Sequence, residues 1–294
     1  MGIKLDWVDQ SAQQLTAIEI YRSTAPISTA NPGTPIVTLP GNATSYEDNT
    51  VKNKSRYYYR IAAVKGSDKS FSPNQLTGYF AETGPGRATP IRGDWNSGLM
   101  DVLPMNDFVS MSTFFAKLPQ LAKYGGVAAS IGSWYKMCYQ GKVLFVPSSA
   151  LTNMSWNELY AEKAIFGEES TAQLPNGTLA SGKLTVEIGG LNYIVRCPKL
   201  SPLAYSNYIT QQDQTIDSEW RDTVSRLVLA KAEPEAGAKT RLMDLTGAPF
   251  IAVGGHLQNA TQHTAILTAA PGALSYGGVN NRYAIGLILE LVMP

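Results

Sequence analysis

The two histidines of the chain, His256 and His263, lie seven residues apart in a stretch rich in Gly, Thr and Ala. Histidines that share a metal on a helix face or a finger arm sit roughly four to six residues apart, in finger arms with a Cys pair nearby. This spacing matches neither pattern, so solvated loop histidines are expected and no metal site. Cys138 and Cys197 stand 59 residues apart. A disulfide would suit an oxidising compartment, but two free thiols in a chain made in a reducing cytosol is the expectation. Carboxylates are paired at Glu168-Glu169, Asp217/Glu219 and Glu233-Pro-Glu235. Two carboxylates hydrolyse glycosides when their environments separate their pKa values. Adjacency along the chain does not build that arrangement, and acids at Asp217 and Glu219 suit the start of a helix. No Gly-x-Ser-x-Gly, P-loop or Gly-x-Gly-x-x-Gly pattern occurs, so neither a catalytic residue nor a cofactor is expected. Among the fifteen Tyr and five Trp, Tyr205, Tyr208 and Tyr276 fall in loop-like segments. They are the candidates for a surface on which glycans stack, since an aromatic face suits the apolar face of a pyranose.

The bulk composition narrows the classes further. With 24 basic and 23 acidic residues the formal net charge is +1, which lacks the basic stripe of a nucleic-acid binder. Charged residues are 16% of the chain against 44% apolar, below the roughly 25% charged of an average soluble protein. The remainder is made up by Gly, Ser, Thr, Asn and Gln. Such a weakly charged polar surface suits a β-rich protein in contact with copies of itself or with neutral glycans. No apolar run approaches the roughly 20 residues of a membrane span, and no signal-peptide h-region follows Met1. Membrane insertion and nucleic-acid binding are therefore not expected.

The elements that would position these residues fall into two groups. Residues 1–82 read as short alternating strands between turns: Ile3-Lys-Leu-Asp-Trp-Val8, Ala17 to Arg22, Pro35 to Leu39, Thr44 to Asp48 and Ser70 to Phe80. Turn signals sit at Asn31-Pro-Gly33 and Pro40-Gly-Asn42. In Ser55-Arg-Tyr-Tyr-Tyr-Arg-Ile-Ala-Ala-Val64 the residues Tyr57, Tyr59, Ile61 and Ala63 share one face, and Tyr58, Arg60, Ala62 and Val64 the other. Turns at roughly 8 to 12 residue intervals indicate a β-sandwich. Residues 83–92 read as a Gly/Pro linker that runs into the tripeptide Arg92-Gly-Asp94, a match too short to carry a function. Residues 93–294 read as an α+β domain with a mainly antiparallel sheet and a few short helices. Met111 to Leu121 is expected to be partly helical, and Gly141 to Pro147 a buried strand. Ser155-Trp-Asn-Glu158 is a capping box, and Gly182 to Arg196 a hairpin with Gly189-Gly190 at its tip. A helix is expected near Asp217-Ser-Glu-Trp220, and one central strand from Arg282 to Met293.

Leu5-Asp-Trp7, Ile20-Tyr-Arg-Ser23, Tyr46-Glu-Asp48, the Tyr-rich strand and Ser72-Pro73 together resemble a fibronectin type III domain. The resemblance implies an Ig-like sandwich in which Trp7 packs beneath Tyr57. It also implies a strand before the Trp-bearing one, and here only Met1 and Gly2 precede it. A sandwich without that strand exposes a sheet edge, so Ile3, Leu5 and Trp7 mark a candidate assembly edge. In the second part, Gly-Lys-Val-Leu-Phe-Val-Pro147, Ser155-Trp-Asn-Glu-Leu-Tyr160 with Gly167, the Gly-Gly hairpin, Asp217-Ser-Glu-Trp220 and the closing Leu-Ile-Leu-Glu-Leu291 resemble a domain of tailed-bacteriophage virion structural proteins. The Ala-, Thr- and Gly-rich stretch between Gly247 and Tyr283 departs from that pattern. The resemblance implies a non-enzymatic virion component (tail, collar, fibre or decoration), assembled in the host cytoplasm as a homo-oligomer against portal, tail or capsid neighbours. The alternative is an adhesin binding host surface glycan, with a polysaccharide hydrolase third.

Overall fold

A computed structural model of the chain describes residues 2–80, 82–125, 132–165, 167, 182–199, 219–224, 226, 252–254, 264–267, 274–277 and 280–292. Residues 220, 221, 252–254, 264–267 and 274–277 are described by backbone alone. Every strand pair among the described residues is antiparallel. The chain divides into two compact units, Met1–Glu82 and Thr83–Pro294.

The first unit contains β1 (Ile3–Asp6), β2 (Ala17–Ser23), β3 (Val37–Pro40), β4 (Ser45–Asp48), β5 (Ser55–Lys65), β6 (Asp68–Phe71) and β7 (Gln75–Tyr79). β1 and β4 form a two-stranded sheet. In the other sheet β2 lies between β3 and β5, and β5 also pairs β6 and β7. β7 pairs residues 55–59 of β5 and β6 pairs residues 62–65. Between them Pro73 has no N–H to give a ladder, and Ser72 bridges instead, exchanging hydrogen bonds with Ile61. The alternation of β5 assigns its faces: Tyr57 and Tyr59 join Ile3, Leu5, Ile18 and Ile20 in one core, with Trp7 packed against it. Both sheets contribute to that core, and each large side chain removed from water stabilises it by about 1.5–3 kcal/mol. On the far side of β5, Ala62 meets Tyr21 and Ile27, with Tyr58 and Phe71 against them.

In the second unit β8 (Arg92–Asp94), β9 (Ser97–Pro104), β10 (Ser133–Tyr139), β11 (Lys142–Pro147), β12 (Thr152–Met154), β13 (Leu184–Ile188) and β14 (Leu191–Arg196) are followed by β15 (Ala252–Gly254), β16 (Thr264–Leu267), β17 (Leu274–Gly277), β18 (Tyr283–Ile285) and β19 (Ile288–Leu291). Its main sheet has seven strands in the order β13-β14-β19-β11-β10-β9-β8. The helices are short: α1 (Met105–Phe108), α2 (Met111–Lys117), α3 (Pro119–Ala122), α4 (Trp156–Ala161) and α5 (Glu219–Asp222). Ser155 caps α4 by accepting from the Glu158 N–H at 3.2 Å, and Glu158 accepts from the Ser155 N–H at 2.9 Å. Gly189 and Gly190 turn β13 into β14 with φ of +59° and +79°, the left-handed values a two-residue hairpin turn needs. Aromatic rings pack together in this unit: the half-buried Phe108 stacks on Phe145 at 4.3 Å and meets Trp134 and Tyr193 edge-on.

Two expectations are corrected here. The tail is not one strand: β18 pairs β12 in a separate two-stranded sheet, and only β19 enters the main sheet, between β14 and β11. Gly286 and Leu287 separate them, and glycine weakens a strand where it falls. The Gly/Pro stretch 83–92, read as a linker, is built into the second unit. Thr83 is buried, and Arg92 opens β8. The reason is a buried lysine. Lys136, in the middle of β10, places Nζ 3.0 Å from Thr83 Oγ1, 3.2 Å from the Gly84 carbonyl and 2.7 Å from the Arg87 carbonyl. Its register partner on β9, Asp101, accepts from the Arg87 N–H at 2.9 Å. Gly86 crosses this clamp at φ +79°, where a Cβ would lie 2.7 Å from Asp101 Oδ2.

Candidate functional site

The register of β1 against β4 identifies which groups the sheet edge offers. Ile3 stands opposite Asp48, Lys4 opposite Glu47, Leu5 opposite Tyr46 and Asp6 opposite Ser45. The Trp7 N–H donates to the Thr44 carbonyl at 3.0 Å, so Trp7 and Thr44 form a hydrogen-bonded pair. Hydrogen-bonded and non-bonded pairs alternate in an antiparallel ladder. Residues 3, 5 and 7 therefore bond to β4, while the N–H and C=O of Lys4 and Asp6 point to the opposite edge. Among the described residues β1 pairs with β4 and no other strand.

Side chains divide in the same alternation. Ile3 and Leu5 are buried in the shared core. Trp7 is half-buried and its indole N–H donates to the Ala43 carbonyl at 2.7 Å. The three residues expected to mark the edge thus hold β1 to β4 and the core beneath, and the groups left for a partner belong to the main chain of Lys4 and Asp6. Their side chains are 65% and 61% exposed and form an ion pair at 2.9 Å. Just past the strand, Val8 is 81% exposed.

A hydrogen-bond network lies beneath the edge. Asp48, which ends β4 opposite Ile3, is fully buried. Its Oδ2 accepts from Tyr59 OH and from Arg22 Nη1, each at 2.7 Å, and its Oδ1 accepts from the Thr50 N–H at 3.0 Å and Thr50 Oγ1 at 2.7 Å. Arg22 also lies over the Tyr57 ring, 4.9 Å from its centre. Burial pushes the Asp48 carboxyl up, but the hydrogen bonds from Thr50, Tyr59 and Arg22 outweigh it and hold it below its ordinary range. Burial and the Asp48 carboxylate together push Tyr59 upward, so the phenol stays a donor. The two sheets are tied at the point where β1 begins.

The carboxylates of the second unit serve a different purpose. Glu219, on α5, accepts from Arg196 Nη1 and Nη2 at 2.7 Å each and from the Lys199 N–H at 3.0 Å. Glu290, on β19, accepts from Arg196 Nε at 2.8 Å and sits 3.3 Å from Lys142 Nζ. Burial pushes the Glu219 carboxyl up, yet the adjoining guanidinium holds it below its ordinary range. Both carboxylates are thus occupied by one arginine, which suits locking α5 to β14 and β19 rather than moving protons. Asp217, Glu168, Glu169, Glu233 and Glu235 lie outside the described residues, as do His256, His263, Tyr205 and Tyr208. Tyr276 falls on β17, described by backbone alone. Among the described residues no group of three His, Cys, Asp or Glu is arranged to hold a metal, and no helix is long and apolar enough to cross a membrane.

Sequence reasoning passed over Lys4, Asp6, Lys136, Arg196 and Glu290. The signal for the last three was present, since each is a lone charge in an otherwise apolar strand, where only a paired or well-solvated charge is tolerated. No family model, curated protein or solved structure matches this chain.

Proposed function

We propose that the chain is a structural component of a tailed-bacteriophage virion that works by assembling into a homo-oligomer. In this reading residues 1–82 are a fibronectin-type-III-like sandwich, and residues 93–294 are an α+β virion domain. The observation that carries it is the outer edge of β1, which pairs no other strand among the described residues. An edge that offers main-chain donors and acceptors on a packed sandwich invites strand addition. The connectivity of the first unit supports the sandwich, with β1-β4 facing β3-β2-β5 across one core. The motif order of the second part supports the virion. The site of action is accordingly the assembled particle, built in the host cytoplasm, with portal, tail or capsid proteins as neighbours.

The test is mass in solution, by light scattering on the whole chain and on Lys4→Pro. Proline at position 4 removes an edge-facing N–H and leaves the bonds of residues 3, 5 and 7 to β4 in place. The native chain is expected to be oligomeric and the variant to be smaller while retaining its circular dichroism. A native chain that is monomeric at every concentration overturns the reading. An oligomer indifferent to Lys4→Pro removes its support from the edge.

A further inference from the structure

The edge of β1 has the chemistry of a surface that recognises itself. Only Lys4 and Asp6 direct main-chain groups outward, as the Trp7–Thr44 bond and the β1·β4 register require. An antiparallel partner strand must bring its own outward-facing residues opposite these two. For a second copy of β1 three registers set at least one of these residues opposite another. One sets Lys4 against Lys4, another sets Asp6 against Asp6, and like charges directly opposite are destabilising. The third sets Lys4 against Asp6 and Asp6 against Lys4. In that register both edge-facing residues of each copy are paired at once.

We infer that β1 pairs with β1 of a second copy of this chain about a two-fold axis through Leu5, each Lys4 opposite the other copy's Asp6. The inference rests on the assembly reading above and names its partner and register. Two hydrogen-bonded pairs form, each exchanging two main-chain bonds. The four charges alternate in sign on the exposed face. The same patch serves both copies, as a two-fold interface demands, and the two small sheets become one, in the order β4-β1-β1-β4. Val8, so exposed in the single chain, falls opposite Gly2, which has no side chain to obstruct it. The strand is four residues long, so the contact is smaller than the roughly 800 Å² per partner of a stable free-standing complex. It acts where copies are already concentrated, and a covalent trap is the suitable probe.

Lys4→Cys and Asp6→Cys chains are made separately and oxidised alone and as an equal mixture. The native thiols of Cys138 and Cys197 are buried and stay out of the reaction. Directly opposite residues of a bonded pair have Cα atoms about 5.5 Å apart, inside the disulfide range of about 4.4–6.8 Å. Residues offset by two along the partner are about 7–8 Å apart and link poorly. The mixture is expected to give a dimer cross-linked from position 4 of one copy to position 6 of the other, at least about tenfold over either variant alone. Lys4→Asp should weaken self-association by about tenfold, and adding Asp6→Lys in the same chain should restore it. Linking of Lys4→Cys to itself, or of Asp6→Cys to itself, overturns the register. No linking in a chain that is oligomeric by mass overturns the inference and spares the assembly reading. No linking in a monomeric chain overturns both.

Discussion

Replacing Glu219 by Gln should destabilise the second unit by about 3 kcal/mol, and the geometry says why. The side chain of Arg196 is 1% exposed and that of Glu219 3%, so neither can turn to water when its partner is lost. The glutamine keeps the volume and removes the charge. Across about 4 Å at an effective dielectric near 20, the lost attraction is about 4 kcal/mol. The amide oxygen returns one hydrogen bond, about 1 kcal/mol. Glu290 still accepts from Nε at 2.8 Å, and the Cys197 carbonyl accepts from Nη1 at 3.0 Å, so the guanidinium is not stranded. The remainder lies at the lower end of the roughly 3–5 kcal/mol found for breaking a buried pair. Arg196→Met in the Glu219→Leu background removes both charges, and should cost less than the sum of the two single changes. Urea unfolding followed by tryptophan fluorescence reads this unit selectively, since Trp95, Trp134, Trp156 and Trp220 belong to it and only Trp7 to the other. With m in the range of about 1–3 kcal/mol/M, the midpoint should fall by about 1 M or more. The pH profile gives an independent check. The Glu219 carboxyl is held below its ordinary 4.5 in the folded chain, so its contribution is complete above that value and fades as pH falls through the lower folded one. Glu219→Gln should lack that part of the acid loss. A midpoint unmoved by the substitution, or a double variant as unstable as the sum, refutes the reasoning.

Asp48→Ala should cost the first unit about 3 kcal/mol, because Tyr59 OH and Arg22 lose a charged acceptor. Hydrogen exchange at β1 and β4 amides should quicken while β10 and β11 stay protected. The native Asp48 contribution should fade as pH falls below the ordinary carboxylate range, since its folded value is depressed. Lys136→Met leaves the Gly84 and Arg87 carbonyls without the ammonium, so trypsin should cut after the exposed Arg87 about tenfold faster, a loss of protection equal to about 1.4 kcal/mol. Mass spectrometry of the fragments checks this. Burial pushes both thiols, Cys138 and Cys197, up to about 12, so neither should react with a disulfide reagent at pH 8 until the chain is unfolded in denaturant.

Local signals carried much of the fold. The capping box at Ser155, the Gly189-Gly190 turn and the alternation of β5 each depend on neighbours within a few residues, and each stands where the sequence put it. Long-range partners were not legible. The clamp on residues 83–87 needs Lys136, some fifty residues on, and composition alone made that stretch look free. Arg196 is flanked by apolar residues, but nothing near it in the chain announces Glu219 or Glu290. The edge of β1 was half legible. Alternation told which side chains face inward, whereas the direction of the main-chain groups depends on the β4 register, a pairing across about forty residues. Lys4 and Asp6 therefore emerged only with the fold.

The place of β19 has a consequence for the order of events during synthesis. It separates β14 from β11 in the main sheet, yet it follows both in the chain, and the contact between Lys142 and Glu290 spans 148 residues. Until residues 288–291 leave the ribosome, the β9–β10–β11 meander and the β13–β14 hairpin each keep a bare, apolar edge. Closing the sheet is thus a late step of high contact order, slow compared with forming either piece. During that interval the nascent chain is exposed to pairing with the wrong partner, and a chaperone, a slower translation rate or a lower growth temperature should each raise the yield of folded protein.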